Sequence, residues 1–587
     1  MKRRLILAIV LLCLPALVGA DEIFPKPGWK DKPNPFASPY AVTGGEISAF
    51  GHQYPRSFNY YLEASSFTAE LFGALYESLL SRDSITLDYE PNLAARWSIS
   101  DDKKTFTFWL DKNARWSDGR PVTAEDVQWT YDAIMNTNNL TGVHKVAMER
   151  FMRPEVVAKD QIRFTAKKVH WENLASIGST AILPKHAYKE KDFNKINFEF
   201  PVVSGLYRLG EIKEGISAKL ERRDDWWNKD APRSRHVGNF QTLTFKFFSA
   251  RETALEAFKK GLLDFFPVYT ARFWVEEATG EKFVKNWIVK QKVYNHSPVG
   301  FQGFAMNARR PPFDDVKVRR AMALCLDRAN LNRTLMYDQY FLHKSYFEDL
   351  YTKENPCPNE QTPFDPDKAR ALLKEAGWSV NPKTGLLEKD GRAFKVKFLA
   401  RGPNTDKYLA DYMEILKDVG IALTIDRKDW ASWVKDMDEF NFDMTWAAWG
   451  AGLFKDPEPM WASAEADRNG GYNYTGFRNA RVDELIQQQK TIFDVETRHA
   501  LCREIDQIAV KQTPYVLLWN INYTRLLYWN KFGIPDTVLG KYGREDAAYW
   551  LWWLDEDSAA DLEDARAQGE PLPARPAVVR FDDAFKP

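Results

Sequence analysis

Thr105-Phe106-Thr107-Phe108-Trp109-Leu110, then Trp116-Ser117-Asp118-Gly119-Arg120-Pro121-Val122, then Thr123-Ala124-Glu125-Asp126-Val127 decide the fold class. The first run is β-rich, and Asp118-Gly119 is a strong turn dipeptide. Thr123 and Asp126 form a capping box, after which Val127, Tyr131 and Ile134 recur on one helical face. Strands therefore feed a helix within one short stretch.

Outward from there the same alternation continues. Asp365-Pro366-Asp367 combines an N-cap, a proline at the first helical position and an early acid; Ala369, Leu372, Leu373 and Ala376 follow, and Gly377 stops the helix. Val318, Met322, Cys325 and Ala329 predict one more buried helix, and Leu501, Ile505 and Ile508 another before Thr513-Pro514. Strand-like and helix-like segments alternating throughout argue an α/β protein without internal repeats. Residues 559–587, rich in Ala, Pro and charge and poor in apolar periodicity, predict a loosely held tail.

The chain has 587 residues with 81 Lys+Arg against 81 Asp+Glu, enough for two to four domains. Lys2-Arg3-Arg4, an apolar run from Leu5 to Leu14, and Val18-Gly19-Ala20 before Asp21 read as a secretory signal over residues 1–20, which places the product in a periplasm. Leu12 is too bulky to precede a lipid-modified Cys13. Loss of the leader's three basic residues leaves a mildly acidic protein, which argues against nucleic acid as a partner. No later run is long enough to span a bilayer. Cys325, Cys357 and Cys502 remain, an odd number unsuited to a disulfide framework; Cys325 and Cys502 fall on apolar helix faces, where a buried thiol acts as a small hydrophobe.

Catalytic and cofactor motifs are missing from the sequence. It holds no Gly-x-Ser-x-Gly, no His-Glu-x-x-His, no Cys-x-x-Cys and no Gly-x-x-x-x-Gly-Lys-Ser/Thr, and its eight histidines are scattered singly. No catalytic residue, metal or cofactor is therefore expected. What stands out is aromatic and glycine-rich sequence at strand ends: Trp446-Ala447-Ala448-Trp449-Gly450-Ala451-Gly452 and Gly470-Gly471-Tyr472-Asn473-Tyr474-Thr475-Gly476-Phe477. Glycine lets a ligand approach the backbone while aromatic faces supply apolar walls; core tryptophans beside a β-bulge would leave the same trace. The 21 tryptophans suit a cleft lined by flat rings.

Tyr89-Glu90-Pro91-Asn92-Leu93-Ala94-Ala95-Arg96-Trp97 together with residues 116–127 closely resembles the family 5 extracellular solute-binding proteins, the peptide- and nickel-binding receptors of ABC importers. The resemblance continues in Ser204-Gly205-Leu206-Tyr207-Arg208-Leu209, Met306-Asn307-Ala308-Arg309-Arg310-Pro311-Pro312-Phe313, Phe364-Asp365-Pro366-Asp367 and Arg481-Val482-Asp483-Glu484-Leu485, and covers roughly residues 40–550.

That family implies a two-lobed periplasmic binding protein-like α/β fold of the large type II form. By analogy, lobe I takes residues 21–75, 203–299 and 515–555, with an inserted subdomain at 76–202; lobe II takes 300–514, and 556–587 is the tail. Hinges are implied near 300–307 and 514–523, with a monomer closing on its solute and then engaging the membrane subunits of a permease. Peptide receptors of the family add the ligand as an extended strand, which places Trp446, Ala447, Trp449, Gly450, Asn473 and Tyr474 of lobe II, and Tyr54 and Phe67 of lobe I, at the ligand. Peptides or peptide-like solutes are the first expectation, an oligosaccharide or other small solute the second; a chaperone or a secreted enzyme using the same cleft are readings of a different class. One departure matters. Peptide receptors often hold the ligand ammonium with an aspartate soon after this tryptophan, whereas here Asp456 is the first acid to follow.

Overall fold

The computed structural model describes residues 21–586, so the secretory signal and Cys13 lie outside the described residues. The described chain divides into two compact units.

The first unit comprises 21–31, 56–205 and 225–228. Its antiparallel five-stranded sheet runs, edge to edge, Glu22–Phe24, Ala94–Ile99, Thr105–Leu110, Gln161–Thr165 and Glu155–Ala158. Alternation sets the faces: Phe106, Phe108 and Leu110 are buried, with Phe106 opposite Phe164 and Phe108 opposite both Trp97 and Ile162. The helix Ala124–Met135 begins at the expected capping box, where Thr123 N donates to Asp126 Oδ2 at 2.9 Å. Asp126 is itself buried and also accepts from Lys185 N at 2.8 Å, so one carboxylate caps this helix and pins the start of the short helix Lys185–Tyr188.

The second unit comprises 32–55, 206–224 and 229 onward, and holds two large sheets. The eight-stranded sheet runs Val578–Arg580, Ile288–Tyr294, Thr524–Trp529, Phe265–Pro267, Glu46–Phe50, Thr242–Lys246, Ser217–Arg222 and Tyr207–Lys213. The five-stranded sheet runs Ala422–Arg427, Lys395–Ala400, Met444–Trp449, Phe301–Met306 and Tyr515–Leu517. Its first three strands and Tyr515–Leu517 run in one direction, and Phe301–Met306 alone runs against them. One face packs Phe304, Met306 and Phe398 against Val318, Met322, Tyr412 and Leu416. The other packs Phe301, Ala305 and Ala447 against Val482, Ile486 and Ile505. Burial on both faces is what parallel strands require.

Several expectations change. Residues 556–586 are docked: Glu556–Gln568 is a helix burying Leu562 and Ala565, Val578–Arg580 adds a strand parallel to Ile288–Tyr294, and Phe581 is buried with its ring 5.7 Å from Phe36. Leu562, Ala565 and Phe581 are its buried apolar side chains, with Leu572 and Phe585 packed beside them, too widely spaced to show as periodicity. The helix over Val318–Ala329 is two helices, Val316–Leu324 and Arg328–Met336, because Asp327 caps the second by accepting from Asn330 N. The strands Phe301–Met306 and Tyr515–Leu517 lie within the five-stranded sheet, so the passages between the two sheets are 295–300 and 521–523. Asn520 Nδ2 donates to Gly300 O at 2.7 Å and ties the two passages together. Cys325 and Cys502 are fully buried, and all three described cysteines are free thiols. Among the described residues no helix is long and apolar enough to cross a membrane.

Candidate functional site

Lys395–Ala400, Ala422–Arg427 and Met444–Trp449 run parallel toward one end of the sheet, the last extending beyond its neighbour, and α/β sheets bind ligands beyond such carboxyl ends. Met444–Trp449 is covered on one side along its length by Phe301–Met306, from Met444 opposite Met306 to Trp449 opposite Phe301. On the other side Lys395–Ala400 pairs only with Met444 and Thr445. From Trp446 onward that edge has no ladder partner among the described residues. Its amide and carbonyl groups form a template for an added strand.

Side chains three apart on a strand point to opposite faces, and this separates the two tryptophans expected to share a wall. Trp446 turns into the core with Phe304, Tyr408 and Trp519 around it, its ring 5.5 Å from Phe304, and its indole N–H donates to Gln302 Oε1 at 3.0 Å. Trp449 lies on the opposite face, 4.9 Å from the Tyr474 ring and 5.7 Å from Tyr472. Ala447 is buried on Trp449's side, and Gly450 is exposed, with open space where a side chain would stand.

Asn473 is fully buried: its Nδ2 donates to Ala462 O and Phe477 O, and its Oδ1 accepts from Phe477 N at 2.8 Å. It closes the 473–477 loop and presents no group outward, which corrects its expected contact with a ligand. Phe67 is likewise a core residue of the first unit, packed edge-on to Phe58. Tyr54, in the second unit, is half-buried edge-on to Phe247.

Sequence reasoning missed Arg309. Its guanidinium donates to Asn307 Oδ1 and to the carbonyls of Ala466, Asn473 and Tyr474, and lies 3.7 Å from the centre of the Phe440 ring. Desolvation pulls its pKa down to about 10, yet it stays charged and holds the Tyr472–Tyr474 loop beside Trp449. A Cβ on Gly476, at φ +67°, would meet Arg309 Cγ at 2.6 Å, so that glycine admits the arginine. Also unread in the sequence are Trp430 and Trp433 after the neighbouring strand. Their rings stack at 5.5 Å, Trp430 is exposed, and Arg401 lies 4.9 Å from its ring centre. The i, i+3 spacing of the two tryptophans was the available signal.

The acid in question is occupied. Asp456 Oδ1 accepts from Glu458 N at 3.1 Å and Gln489 Nε2 at 3.3 Å. Beside it Lys455 is buried, donating to Asp349 Oδ2 at 2.6 Å and Gly452 O at 2.8 Å. Burial raises the Asp349 carboxyl against the lowering effect of Lys455. The protein thus supplies its own ammonium to the nearby carboxylate.

His499 completes this loop's surroundings, with burial first and the Lys455 charge second pushing its pKa down to about 4, against the opposing pull of Glu496. The unfolded imidazole takes up its proton near pH 6.5 whereas the folded one waits until about 4, so stability present above that window is lost as pH falls through it. His499→Gln removes that slope, and its Tm relative to the parent is expected to rise by about 2 °C or more between pH 7 and pH 4. Calorimetric scans of both proteins across that range provide the check, and parallel Tm curves would reject the assignment. Among the described residues no group of three or more His, Cys, Asp or Glu converges as a metal site.

A family model described as bacterial extracellular solute-binding proteins, family 5 Middle, matches residues 88–471. The chain is 28% identical to a probable peptide-binding protein, YejA, of Agrobacterium fabrum over 80% of this chain and 83% of that protein. It is 27% identical to the peptidoglycan-binding protein YepA of the same organism, over 82% and 85%. The solved oligopeptide-binding protein AppA of Bacillus subtilis, in complex with a nonapeptide, superposes with a TM-score of 0.69 at 22% identity, covering 88% of this chain and 99% of that one.

Proposed function

Because the chain belongs to the bacterial extracellular solute-binding proteins of family 5, we propose that it is a periplasmic receptor of an ABC importer that captures peptides or peptide-like solutes and performs no chemistry on them. The observation that carries this reading is the unpaired strand edge from Trp446 to Trp449, at the carboxyl ends of parallel strands and walled by Trp449 and Tyr474. A peptide adding there gains main-chain hydrogen bonds that do not depend on its sequence. The two sheets of the second unit serve as floors of the two lobes, and 295–300 and 521–523 act as hinges. Closing the lobes on the solute creates the form a permease recognises.

With Asp456 and Asp349 already satisfied, neither of these acids is left for a free peptide amine, and a peptide with a blocked or modified N-terminus fits as well. The names of the relatives, one peptide-binding and one peptidoglycan-binding, agree with such a solute. The stacked Trp430–Trp433 pair supports a second reading, in which a sugar ring is bound as well or instead.

Calorimetry with a tripeptide library and its N-acetylated counterpart tests the peptide reading. Affinities equal to within about threefold are expected. A loss of about thirtyfold or more on acetylation would mean an acid serves the amine after all, and absence of binding by either library would remove peptides as the solute class.

A further inference from the structure

After the helix Glu556–Gln568 the chain returns to the eight-stranded sheet, at the strand that leads into the passage 295–300. Gln291 Nε2 donates to Pro576 O at 2.8 Å and Lys292 N to Ala577 O at 2.9 Å. Val578–Arg580 then pairs with Lys292, Val293 and Tyr294, so the added strand ends opposite the last residue before the passage. A parallel pairing of three residues at a sheet edge is weak by itself.

What fixes it lies on either side of the strand. Before it, Arg575 donates to Asn530 Oδ1 at 2.6 Å and to Phe532 O at 2.7 Å. After it, the buried Phe581 ring stacks on Phe585 at 5.2 Å, and the two meet Phe36 edge-on at 5.7 and 5.4 Å. Packed rings of this kind anchor a segment far better than exposed ion pairs do.

Anchored there, the segment grips the start of the passage. The Arg580 guanidinium lies 4.2 Å from the centre of the Tyr294 ring, which is itself 4.9 Å from the Tyr523 ring of the second passage. His296 Nε2 donates to Asp582 Oδ1 at 2.8 Å, and its ring lies 5.6 Å from Phe581. The loop 540–543 completes the grip: Asn295 Nδ2 donates to Gly540 O at 3.0 Å and Gly543 O at 2.7 Å, and His296 N donates to Lys541 O at 2.8 Å. Two separate segments therefore hold residues 294–296.

We infer that residues 578–585 are a brace on the passage 295–300: docked, they withhold its first residues from rotation and limit how far the lobes open. The inference rests on the reading of 295–300 and 521–523 as hinges. Its consequence is for affinity, because a receptor that samples wide-open forms less often loses less binding to them.

The test compares the full secreted chain with one ending at Ala577 and with Arg580→Ala, which removes an exposed side chain and keeps the Phe36, Phe581 and Phe585 rings. Hydrogen exchange is read first, without solute. Amides of 294–300 are expected to exchange at least about tenfold faster in the shortened chain and about threefold faster in Arg580→Ala, with those of the strands Lys395–Ala400 and Ala422–Arg427 unchanged. Calorimetry with the tripeptide library is expected to show affinity about threefold lower or more in the shortened chain. Exchange needs no solute and so decides the brace separately, whereas compaction of the parent by the library, seen in small-angle scattering, decides the hinge reading. Unchanged exchange over 294–300 in both variants, acceleration spread evenly over the whole chain, or undiminished affinity of the folded shortened chain would each overturn the inference.

Discussion

Trp446→Ala is expected to cost about 3 kcal/mol of stability and leave solute affinity within about twofold of the parent, while Trp449→Ala does the reverse. The split follows from the two-residue period of the strand. Trp446 fills a space bounded by Phe304, Tyr408 and Trp519, and truncation leaves a cavity there and strands the amide of Gln302. Trp449 stands on the opposite face among Tyr472 and Tyr474, at the end of the unpaired edge. Losing a wall of that size is expected to reduce affinity about thirtyfold, the behaviour of an aromatic anchor in a recognition site. Urea titration gives the first quantity and calorimetry with the tripeptide library the second. Should Trp446→Ala abolish binding at undiminished stability, the ligand would have to lie on the other face of the sheet.

The second large effect is expected at Gly300. A Cβ there would sit 1.8 Å from the Trp449 carbonyl oxygen and 3.1 Å from Gly450 Cα. Both neighbours are backbone, so no side chain can rotate aside, and Gly300→Ala must separate the 295–300 passage from the 449–450 segment. Overpacking of this kind costs about 1–3 kcal/mol, and because the displaced atoms belong to the proposed ligand edge, affinity is expected to fall at least about tenfold. Gly450→Ala is the control: its Cβ meets nothing within 4 Å, so its stability should remain within about 0.5 kcal/mol of the parent. Equal stability of the Gly300→Ala protein and the parent would show that the two segments do not touch in solution. The Asn520 bond to Gly300 O makes the same glycine a link between the two chain passages, so small-angle scattering with and without solute would also report whether the substitution alters closure.

Much of the fold was legible from local signals. The capping box at Thr123–Asp126, the N-cap at Asp365, the turn at Gly119 and the apolar spacings of Val127 to Ile134 all depend on neighbours in sequence, and each appears where those residues put it. The docked C-terminal segment was not legible, because its strand gains its partner from residues almost three hundred positions earlier, as in Val578 opposite Lys292. At the site, the segment Trp446–Gly452 stood out by composition. The jobs of the polar residues around it did not: Asn473, Asp456 and Arg309 take their meaning from hydrogen-bond partners that include Ala462, Gln489 and Tyr474, well away from them in sequence.

By itself, then, the sequence determined the α/β class, the helix starts and stops, membership of the family 5 solute-binding proteins, and the strand end where aromatic and glycine residues gather. These follow from backbone propensity, capping and periodicity, which act over a few residues. Only the tertiary structure decided which tryptophan faces the core, which acid is already satisfied by Lys455, which glycine lets two chain passages meet, and where the C-terminal segment docks beside Tyr294 and His296. Each of those is a matter of which distant groups come within a few ångströms, and packing of the whole chain sets that distance.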